Sequence, residues 1–111
     1  AFTDVQENLD ISDVLKTKDI FALTVNGDSM IDAQIAHGDM VLMEPVKDNY
    51  SIRNGDIVSA MVHGLGTTLK YFIKKNNKII LEAANPKYEP IVLDYEQVSI
   101  QGRLIAVWRK I

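Results

Sequence analysis

Apolar and polar residues alternate along most of the chain with the two-residue period of strands. Phe21, Leu23 and Val25 alternate with Ala22 and Thr24, and Asn26-Gly27-Asp28 then breaks the run with turn residues. Met40 to Val46 reads as a second strand that stops around Pro45. Asn54-Gly55-Asp56 is a turn, and Ile57 to Val62 follows as a third strand. Gly64-Leu65-Gly66 reads as a hairpin connection into Thr67 to Lys74, and Asn76-Asn77 as a tight turn before Ile79 to Glu82. Residues 85 to 90 form a loop, Ile91 to Leu93 a short strand, and Val98 to Trp108 a long one with a bulge or bend at Gly102. Ser29 to Ile35 is the exception: Met30, Ile31 and Ile35 suggest one short helix, with Ser29 as its N-cap and Gly38 as its stop.

Seven or so short strands and one brief helix predict an all-β domain, a partly open barrel or sandwich. Residues 1 to 19 are polar and acidic without sustained periodicity. They read as an arm lying over the main domain of residues 20 to 111, with a short helical turn between Leu9 and Leu15.

Composition narrows the function. A chain of 111 residues with 47% hydrophobic content suits one core. A net charge of -3 makes a poor grip on a phosphate backbone, so nucleic acid is not expected as a direct ligand. There is no cysteine, hence no disulfide or thiolate metal site, and two histidines make zinc improbable. No cofactor is expected. No apolar run is long enough to span a membrane, and the N-terminus lacks the pattern of a secretory signal, which points to the cytoplasm.

The sharpest chemical signal is Gly27-Asp28-Ser29-Met30. A serine between a glycine turn and a helix start is exposed, and the unpaired N–H groups beside it can hold an oxyanion. The plain alternative is an N-cap serine, and the two are compatible. A nucleophilic serine needs a base. His37 and His63 read as surface residues, His37 turned away from Ser29. Lys70 interrupts the apolar run Leu69-Lys70-Tyr71-Phe72-Ile73 and shares a strand face with Thr68 and Phe72. If that face turns inward, the nitrogen loses water, which disfavours its charged form; the neutral amine can then take the serine proton. The alternative is a solvent-facing lysine guarding an edge strand.

Five blocks in order resemble the LexA-type self-cleaving proteins. They are residues 21 to 30 with 35 to 39, Asn54 to Ala60, Thr68 to Phe72, Asn85 to Ile91, and Gly102 to Arg109. The resemblance covers residues 20 to 111. It implies a β-rich Ser–Lys dyad peptidase, with Ser29 as nucleophile, Lys70 as general base and the N–H groups of Asp28 and Ser29 as oxyanion donors. It also implies a transcriptional repressor of the SOS DNA-damage response. Its self-cleavage is promoted by the RecA filament on single-stranded DNA, at a bond N-terminal to these residues. Repressors of this kind are homodimers, here through the C-terminal strand, and touch DNA only through a helix-turn-helix domain that these residues do not contain. The Ala-Gly or Cys-Gly dipeptide at which such proteins are cut is absent from the chain. The alternative within the resemblance is a UmuD-like processed subunit of a translesion polymerase, acting as a binding module.

Overall fold

The computed structural model describes residues 4–8, 19–48 and 51–109. They form a mainly β fold: one curled, open sheet of eight strands in the order β1-β2-β3-β8-β4-β5-β6-β7. The strands are β1 (Val5–Asn8), β2 (Phe21–Val25), β3 (Met40–Pro45), β4 (Ile57–Val62), β5 (Gly66–Lys75), β6 (Lys78–Glu82), β7 (Ile91–Leu93) and β8 (Val98–Trp108). Every neighbouring pair is antiparallel.

The turn chemistry acts where the sequence places it. Asn76 and Asn77 both adopt positive φ, 52° and 60°, so two residues reverse the chain between β5 and β6. β8 lies between β3 and β4 and holds the two halves of the sheet together. Its register slips once on each side. Leu42 and Met43 face Ala106 and Leu104, while Ser59 and Ala60 face Gly102 and Ile100. Ile105 and Gln101 are the extra residues, and these bulges bend β8 where the sheet curls.

Curling gives two apolar clusters. Val58, Ala60, Val62, Phe72, Ile79, Leu81, Val98 and Ile100 form one with their neighbours. Leu23, Val25, Met30, Ile35, Val41, Met43, Leu69 and Ala84 form the other, which underlies the site described below.

Two expectations are corrected. Ser29 to Ile35 is not a helix: only Ile31–Ala33 forms a 3-10 turn, and Gln34 ends it in the left-handed region at φ 62°. Ser29 lies outside the turn, whose N-cap is Met30 with no side-chain cap. The burial pattern gives the reason. Met30 and Ile35 are buried five residues apart while Ile31 is 43% exposed, so no helical stripe faces the core. The described part of the supposed arm is also different: Val5–Asn8 is an edge strand paired with β2 in the register Val5↔Val25 to Asn8↔Ala22. The helical turn expected between Leu9 and Leu15 falls outside the described residues.

Candidate active site

Ser29 ends the turn that leaves β2. Gly27 makes that turn possible, because its φ of 95° lies where a side chain is strained. The loop after β6 then grips the turn from the other side. Asn85 Nδ2 donates to the Asp28 carbonyl at 2.9 Å, the Tyr88 hydroxyl donates to Asp28 Oδ1 at 2.5 Å, and Lys87 Nζ lies 3.6 Å from Asp28 Oδ2. The Tyr88 hydrogen bond, helped by the Lys87 charge, holds the Asp28 carboxyl below the usual aspartate range. The same bond raises the Tyr88 phenol. Below the turn, Asp32 N donates to the Ala84 carbonyl at 2.8 Å and Ala84 N donates to Met30 Sδ at 3.4 Å. The backbone N–H of Asp28 turns to its own carboxylate and helps to lower it.

Lys70 comes from β5. The face shared by Thr68, Lys70 and Phe72 does turn inward: their exposures are 0%, 2% and 2%. Lys70 Nζ lies 3.2 Å from Ser29 Oγ, and Ser29 is itself 6% exposed. The serine and the lysine, 41 residues apart in the chain, therefore meet inside the protein. Thr68 Oγ1 at 2.5 Å and the Leu69 carbonyl at 3.1 Å fix the nitrogen further.

The lysine nitrogen is not alone, however, as a dehydrated amine was expected to be. Asp4, 6% exposed, sits at the N-terminal end of β1 with its carboxylate in the site. Its Oδ2 accepts from Lys70 Nζ at 2.7 Å, Thr68 Oγ1 at 2.9 Å and Ser29 Oγ at 3.2 Å; its Oδ1 accepts from Leu69 N at 3.1 Å. Asn26 N donates to the Asp4 carbonyl at 2.5 Å and ties this end of β1 to the turn before Ser29. Nothing in the sequence marked Asp4. It stands in a polar stretch, and its partners lie 25 to 66 residues away. Asn85 and Tyr88 were visible only as part of a block of resemblance, with no role attached.

The histidines lie at the surface. His63 pairs with Ser99 at 3.3 Å on an exposed hairpin. His37 is exposed, but its Nδ1 accepts from Gly27 N at 2.9 Å, so it braces the same turn instead of pointing away. Among the described residues no group of three or more His, Asp or Glu is placed to hold a metal. No described helix is long and apolar enough to cross a membrane.

A mainly β sheet that buries a serine hydroxyl against a lysine nitrogen has the parts of a serine hydrolase built without histidine. The chain matches the Peptidase S24-like family over residues 2–105, and it belongs to that family of self-cleaving serine peptidases.

Proposed function

We propose that this chain is the self-cleaving peptidase and dimerisation domain of a LexA-type repressor of DNA-damage genes. Ser29 Oγ attacks a backbone carbonyl, and Lys70, as a neutral amine, takes the hydroxyl proton. The N–H groups of Asp28 and Ser29 hold the oxygen of the tetrahedral intermediate. Lys70 then returns the proton to the leaving amine, and water completes hydrolysis of the ester. The substrate is a peptide bond N-terminal to these residues, presented when the RecA filament on single-stranded DNA favours the docked conformer.

The observation that carries this reading is the buried 3.2 Å approach of Lys70 Nζ to Ser29 Oγ. The outer end of β8 supports the dimer: the apolar side chains of Ile105, Val107 and Trp108 are 45%, 40% and 51% exposed. Separation of a DNA-binding domain from this one weakens operator binding, because two linked half-site contacts become two single ones.

The test uses the natural open reading frame, read upstream of residue 1. Its product, incubated at neutral and alkaline pH, is expected to cut itself faster at alkaline pH, with the cut mapped by mass. Ser29→Ala is expected to abolish cutting, and Lys70→Ala to slow it by about 10²–10⁴-fold, the usual contribution of a positioned base. A Lys70→Ala protein cutting at the wild-type rate removes Lys70 as base. A helix-turn-helix upstream supports the repressor. A short upstream segment without one points to the processed polymerase subunit.

A further inference from the structure

We propose that Asp4 is a built-in inhibitor of the dyad: one oxygen of its carboxylate engages both Ser29 and Lys70 and must withdraw before either can react. This rests on the dyad reading above and adds its regulation.

Three observations carry it. The first is competition for the Ser29 hydrogen. For Lys70 to act as base, the Ser29 hydroxyl must donate to the lysine nitrogen. Ser29 Oγ lies 3.2 Å from Asp4 Oδ2 as well as 3.2 Å from Lys70 Nζ. A carboxylate oxygen only accepts and a hydroxyl has one hydrogen, so a serine that donates to Asp4 has none left for Lys70.

The second is placement. A carboxylate that helps a base binds it on the side away from the nucleophile, as the aspartate of a Ser-His-Asp triad does. Asp4 Oδ2 instead touches nucleophile and base with one oxygen, on the nucleophile's side and not behind the base, while the two remain 3.2 Å apart. Ser29 is 6% and Lys70 2% exposed, so little of either faces solvent.

The third is the mount. Asp4 is carried by β1, a four-residue strand at the edge of the sheet that pairs with β2 alone. A short edge strand opens at lower cost than the strands inside a sheet. The same segment leads back along the chain toward the bond proposed as substrate.

The test measures labelling of Ser29 by a fluorophosphonate ester, read as an adduct on the intact protein. Oγ attacks phosphorus, fluoride leaves and the hydroxyl proton passes to Lys70. Asp4→Asn and Asp4→Ala are expected to label about tenfold faster than wild type or more, well inside the range a freed base can supply. Ser29→Ala must not label. Equal or slower labelling in both Asp4 variants, with native unfolding transitions, overturns the inhibitor and makes Asp4 a supporting residue.

A second arm leaves Asp4 intact. Gln6→Cys with Thr24→Cys places a cysteine pair across the β1–β2 register of a chain that has no other cysteine. Oxidation is expected to slow labelling and reduction to restore it. Equal rates in the two states overturn the proposal. Lys70→Ala in the Asp4→Asn background separates the two readings. Loss of the gain keeps both. A gain that survives keeps the hold of Asp4 on Ser29 but removes Lys70 as base. No labelling of any variant at neutral or alkaline pH removes the dyad, and the inhibitor with it.

Discussion

Gly102 lies in β8 where that strand passes between β3 and β4, paired with Pro45 on one side and Ser59 on the other. A Cβ added there would stand 2.6 Å from Cζ and 2.9 Å from Cε1 of Phe21, and 3.1 Å from Cβ of Met43. Carbon atoms rest at about 3.5–4.0 Å, so the Phe21 ring would have to retreat by about 1 Å. Overpacking of this kind costs about 1–3 kcal/mol. The backbone of Gly102 is outside the left-handed region, so alanine adds no dihedral strain and recovers about 0.4–1 kcal/mol from a stiffer unfolded chain. Gly102→Ala is therefore expected to destabilise by about 1–2 kcal/mol, or roughly 4–8 °C in Tm for a domain of this size. The assay is thermal or urea unfolding of four proteins: wild type, Gly102→Ala, Phe21→Leu and the double variant. The leucine side chain is shorter than the ring, so the cost of Gly102→Ala should fall by about 1 kcal/mol in that background. A Gly102→Ala protein that melts with the wild type, or that loses the same stability with and without the ring, would refute the contact as the cause.

Tyr88→Phe removes the bond that most lowers the Asp28 carboxyl, so Asp28 should titrate at higher pH in an NMR titration of its side chain. The Asp39 carboxyl is held below its ordinary 3.8 by the Arg109 guanidinium, which reaches both of its oxygens at 2.7 and 2.6 Å. A depressed carboxyl stabilises the fold above its unfolded value and loses that contribution as pH falls through the folded one. Arg109→Ala should thus destabilise most at neutral pH. The gap to wild type should narrow below pH 3.8 without closing, since Arg109 also donates to the Gln34 carbonyl. Phe72→Ala, at a side chain 2% exposed, should cost about 3–5 kcal/mol in urea unfolding. Ile105→Lys with Val107→Lys should weaken self-association in sedimentation by tenfold or more, about 1.4 kcal/mol, and leave unfolding of the protomer nearly unchanged.

Strands were legible wherever the period-two pattern was bounded by glycine, asparagine or proline, as at β2, β3, β4 and β8. Their order in space was not. No local signal says that β8 should part β3 from β4, because that choice is made by tertiary packing. Parity put Lys70 with Thr68 and Phe72, but parity cannot say which face is inside; the sheet's curl decides it. The 29–35 segment misled because its apolar residues were counted without their spacing. Asp39 carried a related lesson. Its Oδ2 accepts from Ala36 N at 2.8 Å, the local bond of a turn residue, yet its Arg109 partner lies 70 residues away. Asp4 was beyond reach altogether: a short acidic side chain in a polar segment acquires meaning only when the strand beside it is placed.

The position of β8 has a consequence for how the chain is made. Strands β1 to β3 and β4 to β7 are synthesised before it, yet within the sheet the two groups are paired only through it. Each must leave one flank bare until residues 98 to 108 arrive. The pairings of β8 with β3 and β4 therefore form late, the first across more than fifty residues of chain, which favours slow assembly and a nascent state prone to sticking to its neighbours. A substitution that loosens the middle of β8 should thus lower the yield of folded protein more than its effect on the finished fold implies.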